Sequence, residues 1–305
     1  MDTPASVDRS IGKENLVELY VKEVEANLTL KRVKCRENLF LFNKFILNAQ
    51  RGQSKIPLAS FHQELCEFVQ NRRDKKKLIL IPRGHLKSTL ITIGYSLFRI
   101  IENQNVRILI LNATWQMAVD FLTEIKNHLT KNEILRETFG DLYAGATEWA
   151  QDRITHNRSD QGKKGPTVWA AGVETNLIGA HPDMIILDDV VNRDTADSDE
   201  AMHKVIMRYR DALDLLEPGG QLIVIGTRWN DNDLYEWILN PANKIIQSYD
   251  VMVKPAFETD FPFSEVFTKD GEGLIHNHLW PEKFNFKELW DRYREKWPYE
   301  FSSQY

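Results

Sequence analysis

Cysteine is nearly absent from this chain, and long apolar runs are missing. The 305 residues include two cysteines, Cys35 and Cys66, and neither belongs to a Cys-x-x-Cys pair. Their spacing matches no zinc motif and indicates two reduced thiols in a reducing compartment. No stretch approaches the roughly 18 apolar residues that a membrane span needs, and the polar N-terminus does not resemble a secretory signal. These absences predict a cytoplasmic protein.

An overall positive charge is also lacking, because the formal net charge is −5. The charge is nevertheless uneven: residues 1–77 hold 15 Lys and Arg against 10 Asp and Glu. Two dense basic runs occupy residues 31–36 and 72–77. Each run either forms a solvated face or contacts nucleic-acid phosphates, and charge alone does not decide between the two.

Short apolar runs rich in β-branched residues alternate with helical segments from residue 77 onward. Continuous apolar strands that are separated by helices are typical of a parallel sheet buried on both faces. The predicted strands are 78–81, 106–111, 167–171, 184–187 and 222–225, and the predicted helices between them are 87–102, 115–129 and 198–215. We therefore predict an α/β doubly wound fold.

The flanks of this α/β core have a different pattern. Helices are predicted over 14–27, over 37–48 and from a cap at Ser60 to Val69, and residues 140–166 suggest a loop or hairpin insertion. The divisions are a helical lead-in (1–58), a core (59–255) and a C-terminal subdomain or linker (256–305) that includes a helix over 284–297. The chain ends without a clear closing element, so we expect the natural protein to continue.

Residues 81–89, Ile-Pro-Arg-Gly-His-Leu-Lys-Ser-Thr, follow a predicted strand and open a predicted helix. Backbone N–H groups at a helix N-terminus cradle phosphate oxygens. In such a loop Lys87 reaches the β- and γ-phosphates, and the Ser88 hydroxyl holds Mg²⁺. The match to the usual pattern is imperfect because Ile81 and Leu86 stand where glycines are expected, and the setting supports the assignment more than the motif does.

Two adjacent carboxylates, Asp188 and Asp189, end the predicted strand 184–187. In a phosphate-loop enzyme the first would hold Mg²⁺ and the second would act as general base toward the attacking water. The alternative is a strand that ends in a turn, where Asp is common. A third strand ends in Gly226, Thr227 and Arg228, so Thr227 would lie beside the nucleotide, where it would sense the γ-phosphate, and Arg228 would relay the change outward.

Together these segments resemble the large subunit of tailed-bacteriophage terminases over residues 55–305. Further matching pieces are Phe61-His62-Gln63, Gly226-Thr227-Arg228-Trp229 followed by Asp233-Leu234, and Leu279-Trp280-Pro281-Glu282-Lys283-Phe284. The final Phe301-Ser302-Ser303-Gln304-Tyr305 is similar to the family's junction with its nuclease domain. The resemblance implies a P-loop NTPase fold of the ASCE/RecA-like class, with ATP and Mg²⁺ as cofactors.

The resemblance also assigns roles to individual residues. It implies that Gln63 contacts adenine, that Arg83 is the loop arginine four residues before Lys87, and that Thr227 couples hydrolysis to movement. Gly84, His85, Leu86 and Thr89 would complete the phosphate loop, although His85 is also a conceivable base. Two departures are Leu86 in place of Gly and Asp189 in place of Glu.

A ring motor of this family usually takes an arginine from a neighbouring subunit. Some relatives carry it just before the glycine that precedes the carboxylate strand, where this chain has Ile178. Arg153 and Arg158 are the candidates instead, and the alternative for each is a structural or surface arginine.

The resemblance implies a DNA-packaging ATPase of the infected bacterial cytoplasm, docked on the procapsid portal. The implied partners are double-stranded DNA, the portal protein, the small terminase subunit and further copies in a ring. The isolated chain can then be a monomer, and no membrane is involved. The family's nuclease needs clustered carboxylates, and the sequence after residue 255 offers no convincing cluster. The alternatives are another DNA-dependent P-loop ATPase such as a helicase, and a nucleotide-binding assembly protein without hydrolysis; a small-molecule kinase is disfavoured.

Overall fold

The structure is a computed structural model, and it describes residues 22–23, 27–47, 56–72, 76–160, 162–177, 179, 181–268, 271–296 and 298–305. The predicted helix over 14–27 lies almost entirely outside the described residues, as do Ile178 and part of the second basic run. Within the described part of the chain, no helix is long and apolar enough to cross a membrane.

Eight of the described strands form one sheet in the order β3-β4-β5-β2-β6-β7-β1-β8. The strands are β1 (Lys76–Leu80), β2 (Ile108–Asn112), β3 (Glu148–Trp149), β4 (Arg153–Thr155), β5 (Val168–Gly172), β6 (Met184–Asp188), β7 (Gln221–Gly226) and β8 (Tyr249–Val253). The six strands from β5 to β8 pair in parallel, whereas β3 and β4 form an antiparallel edge. The predicted parallel sheet is therefore confirmed, and β7 lies between the phosphate-loop strand β1 and the carboxylate strand β6.

Side chains along the central strands alternate between two apolar clusters, one on each face of the sheet. In β1, Ile79 belongs to the first cluster, while Leu78 and Leu80 belong to the second. This alternation follows from the period of two in a strand, and burial on both faces explains why the strands are almost continuously apolar.

Helices cover both faces of the sheet. The first cluster includes side chains from Leu28–Glu37, Leu39–Phe42, Ser60–Gln70, Ser96–Glu102, Trp115–Lys131, Glu133–Phe139 and Phe286–Glu295, and from the π-helical turns Asn43–Leu47 and Thr89–Tyr95. The second includes side chains from Asp199–Leu215 and Leu234–Leu239. Short helices lie at Arg193–Ala196, Pro241–Asn243, Ile246–Ser248, Phe263–Val266, Gly271–Leu274 and Pro298–Gln304, and β9 (Phe257–Glu258) pairs antiparallel with β10 (Asn277–His278).

Several elements differ from the sequence expectation. Strand β8 was not predicted, because Asp250 interrupts its apolar residues. Its side chains are only partly buried, as suits a strand at the edge of the sheet. The insertion over 140–166 supplies the hairpin of β3 and β4. Ser60 was expected to cap a helix but is its first residue; the cap is Ala59, whose N–H donates to Nδ1 of His62 at 2.9 Å.

The second basic run is not a uniform solvated face. Lys77 is fully buried, and its ammonium donates to Asp250 at 2.6 Å. Arg72 pairs with Glu102 at 2.6 Å. These two cations therefore tie β1 and its preceding loop to neighbouring elements.

Candidate active site

The loop between β1 and the following helix lies at the carboxyl edge of the sheet, beside the end of β7. The Ile81 N–H donates to the Gly226 carbonyl at 3.3 Å, and helical backbone begins at Lys87. Gly84 and Leu86 both have positive φ, +77° and +61°. Left-handed backbone is costly for leucine, so the loop keeps at Leu86 a conformation that glycine would adopt without strain.

Three predicted site residues, Lys87, Asp189 and Thr227, contact one another at Lys87, and each follows a different strand. Its ammonium lies 3.1 Å from the Asp189 carboxylate and donates to the Thr227 hydroxyl at 3.0 Å. The side chain is 6% exposed, so these partners replace most of its hydration. The meeting point lies at the carboxyl ends of parallel strands, where open α/β sheets bind ligands.

Asp188 lies beneath this pair and is fully buried. Its two carboxylate oxygens accept hydrogen bonds from Ser88 at 3.1 Å and from Thr92 at 2.5 Å. Burial, and then the charge of Asp189, raise the pKa of Asp188 to about 7. A hydroxyl and a carboxylate in adjacent positions are hard oxygen ligands of the kind Mg²⁺ prefers, so Ser88 and Asp188 fit the metal expected there.

Asp189 is turned toward Lys87 by its backbone. Its φ is +45°, a left-handed conformation that Asp tolerates better than most residues, and its N–H donates to the Ile225 carbonyl at 2.9 Å. The Oδ1 atom is buried and has no hydrogen-bond partner among the described residues, while Oδ2 pairs with Lys87. One carboxylate oxygen thus keeps its capacity to accept a proton or a hydrogen bond.

The residues that follow β7 connect the phosphate loop with the helix Leu234–Leu239. The Arg83 guanidinium lies 4.5 Å from the centre of the Trp229 ring. The backbone N–H of Trp229 donates to the Asp233 carboxylate at 3.0 Å. Arg228 pairs with Glu236 instead of lining the cavity described next. Of the two residues expected to pass on a signal, Thr227 contacts Lys87 and Arg228 contacts the following helix.

A cavity of about 450 Å³ opens above these groups, which is within the range of small-ligand pockets. It is lined by Arg83, Gly84, Leu86, Lys87, Ser88, Thr89, Met117, Asp189, Val191, Asn192 and Lys283. The sequence analysis did not predict four of these lining residues, Met117, Val191, Asn192 and Lys283. For Lys283 a signal existed, because the segment Trp280–Phe284 was noted for its resemblance but received no role in the site.

Two residues that were predicted to belong to the nucleotide site, Gln63 and His85, contact other side chains. Gln63 is on the exposed side of its helix, and its amide donates to Glu67 at 2.8 Å. His85 is fully buried and stacks on Phe284, with ring centres 4.5 Å apart. Burial, together with the nearby Lys283 and Lys87 ammonium groups, lowers the pKa of His85 to about 4. A neutral, buried imidazole packed on a ring is a structural part of the loop and a poor candidate for a general base.

The two candidate arginines lie on and beside the antiparallel hairpin, away from the cavity. Arg158 is buried and donates to the carbonyls of Lys163 at 3.1 Å and Gly165 at 2.6 Å. Arg153 has a 42% exposed side chain and pairs with Asp152 at 3.0 Å. Arg158 therefore has bonds that hold its own loop, and the accessible arginine of the two is Arg153.

No family model matches the chain, and no curated protein is significantly similar to it. The structure is similar to the HK97 bacteriophage large terminase, with a TM-score of 0.56 and 17% identity over 88% of this chain and 53% of that one. It is also similar to a mutant large terminase ATPase domain of Thermus phage P74-26, with a TM-score of 0.49 and 17% identity over 86% of this chain and 96% of that one. A further similarity is to the Phi-28 gp11 DNA packaging motor, with a TM-score of 0.36 and 16% identity over 66% and 64% of the two chains.

The HK97 similarity shows a shared fold over most of this chain, and the predicted P-loop α/β class is confirmed. The chain spans about half the length of the HK97 protein.

Proposed function

We propose that this chain is a Mg²⁺-dependent ATP hydrolase that drives double-stranded DNA into a procapsid, as the motor part of a viral terminase. The observation that carries the proposal is a single cavity lined by Lys87, Ser88 and Asp189. Lys87 contacts Asp189 and Thr227, and Ser88 donates to the buried Asp188. A shared fold with the HK97 large terminase supports the same reading.

The residues divide the chemistry between them. Backbone N–H groups of the loop and the Lys87 ammonium hold the phosphates, and Ser88 with Asp188 would hold Mg²⁺. When bound, the metal supplies positive charge that stabilises the phosphates and fixes their geometry. Asp189 accepts the proton of the attacking water.

Binding must rearrange the Lys87–Asp189 pair. The 3.1 Å contact occupies the lysine that the phosphates require and the carboxylate that the water requires. Phosphate oxygens compete for the ammonium, so nucleotide binding frees Asp189 for its role as base. Thr227 contacts the same ammonium and therefore registers whether Lys87 is held by Asp189 or by phosphate.

The proposed function also includes binding partners. Double-stranded DNA, the portal protein, the small terminase subunit and copies of this chain in a ring follow from the resemblance to terminases, in the cytoplasm of an infected bacterium. An arginine from a neighbouring copy would stabilise charge on the γ-phosphate, and Arg153 is the accessible candidate. The nuclease activity of the family is not part of this proposal.

The first test is calorimetric binding of Mg-ATP to the wild type and to Lys87→Ala. Losing a buried cation on the phosphates should weaken binding by roughly ten- to a hundredfold, because charged hydrogen bonds contribute about 1.5–3 kcal/mol. Lys204→Ala is the matched control, since Lys204 is 61% exposed and pairs with Glu200 within its own helix.

Equal affinity in the wild type and Lys87→Ala, or no binding in either, would refute the phosphate site. Loss of binding in Lys87→Ala alone would support it, and an ATPase assay on rings assembled with DNA would follow.

A further inference from the structure

The C-terminal segment reaches into the wall of the candidate active site through Lys283. Its ammonium donates to the Gly84 carbonyl at 2.6 Å, and the side chain lines the same cavity as Lys87 and Asp189. Lys283 is almost 200 residues from the loop in sequence, so this contact exists because the segment folds back onto it.

Aromatic rings fix the position of this ammonium. It lies 4.8 Å from the centre of the Trp280 ring and 5.2 Å from that of Phe284. Phe284 in turn stacks on His85, and both Trp280 and Phe284 are buried. A cation held over two ring faces has lost side-chain freedom before any ligand arrives.

The loop is fitted to this segment. A Cβ atom at position 84 would lie 2.8 Å from Cζ of Phe284, and Gly84 has a φ of +77°. Glycine is therefore required at this position both by the backbone and by the close approach of Phe284. The contact therefore depends on a residue on each side, Gly84 in the loop and Phe284 in the C-terminal segment.

The charges around the cavity favour an anion. Arg83, Lys87 and Lys283 are positive, and Asp189 is the single acid among the described lining residues. Asp189 already contacts Lys87. A ligand with several negative charges therefore suits this wall better than a neutral or cationic one.

We propose that Lys283 is a phosphate-binding residue of the nucleotide site, supplied in cis by the C-terminal segment. On binding of a nucleoside triphosphate its ammonium moves from the Gly84 carbonyl to a phosphate oxygen. The proposal rests on the proposed function and adds to it a second cation with a defined origin. The C-terminal segment would then also respond to nucleotide binding, because Lys283 contacts the buried rings of Trp280 and Phe284 in the same segment.

The experiment compares Lys283→Gln, Lys283→Arg and the wild type in Mg-ATP calorimetry, with thermal unfolding of each in the absence of nucleotide. Lys283→Gln removes the charge but keeps a hydrogen-bond donor, and it should weaken Mg-ATP binding about tenfold. Lys283→Arg restores the charge and should bind within about threefold of the wild type. Lys287→Gln is the matched control, because Lys287 pairs with Asp291 on an exposed helix face and should bind like the wild type.

The alternative is that Lys283 only clamps the loop. That role predicts a lower unfolding temperature for Lys283→Gln with unchanged Mg-ATP affinity, and this result would overturn the proposal. If Lys87→Ala loses binding while Lys283→Gln binds normally, the inference fails and the proposed function stands. If the wild type does not bind Mg-ATP, both fail.

Discussion

At the level of single residues, Asp189 has a conformation and a partner that both bear on catalysis. Its left-handed backbone turns the carboxylate toward Lys87, and one oxygen is left as a buried acceptor without a partner among the described residues.

We predict that Asp189→Asn separates hydrolysis from binding. The amide cannot accept the proton of water, so hydrolysis should slow by at least about a hundredfold. Mg-ATP affinity should not fall, because Lys87 is no longer held by a carboxylate. Single-turnover phosphate release and calorimetry measure the two effects.

Asp194→Asn, on the exposed side of the short helix that follows, is the control and should change neither quantity. Unaltered phosphate release by Asp189→Asn would exclude Asp189 as the base.

At the level of secondary-structure elements, the helix Leu234–Leu239 is joined to the site by its N-cap. Asp233 is fully buried, and its carboxylate accepts from the Glu236 N–H at 2.9 Å and from the Trp229 N–H at 3.0 Å. Burial raises the pKa of Asp233, which the two backbone donors oppose. The same residue therefore starts a helix and fixes the tryptophan on which Arg83 packs.

We predict that Asp233→Ala lowers the free energy of unfolding by about 2 kcal/mol, because a cap is lost and two partly buried backbone N–H groups lose their acceptor. Mg-ATP binding should weaken as well, since Arg83 loses a fixed support. Chemical denaturation and calorimetry check this.

Ser198→Ala is the comparison, because Ser198 caps the helix Asp199–Leu215 through one exposed N–H bond and should cost about 1 kcal/mol or less without affecting binding. Equal effects of the two substitutions would mean that Asp233 acts as an ordinary cap.

At the scale of the whole molecule, the two ends of the described chain share one apolar cluster. Phe61 from the early helix, Ile79 from β1, and Trp280 and Phe301 from the C-terminal segment all belong to it. The Trp280 indole also donates to the Pro57 carbonyl at 3.0 Å. A division at residue 256 therefore cuts through a continuous core, although the sequence changes character there.

We predict that Phe301→Ala lowers the stability of the whole described core. Removing a fully buried ring costs about 3–5 kcal/mol. Far-UV circular dichroism and tryptophan fluorescence should show the same lowered midpoint, because one cooperative unit unfolds.

Phe261→Ala is the control, since Phe261 is 40% exposed. A separate early transition seen by fluorescence alone would mean that the C-terminal segment is an independent unit.

The sequence by itself determined the elements whose signal is local. Continuous apolar runs predicted the central strands to within one or two residues, and Lys87, Asp188 and Thr227, at or after the ends of three of these strands, were predicted to form a site. The structure brings these side chains close together because the carboxyl ends of parallel strands lie on one edge of the sheet.

Tertiary structure decided the features that depend on neighbours. The edge strand β8 has no continuous apolar pattern because its side chains are only partly buried, and Lys77 is buried because Asp250 compensates its charge. Lys283 is a lining residue because Trp280 and Phe284 pack against the loop, a contact between segments almost 200 residues apart. No local pattern encodes such a contact, since it depends on the free energy of packing between distant parts of the chain.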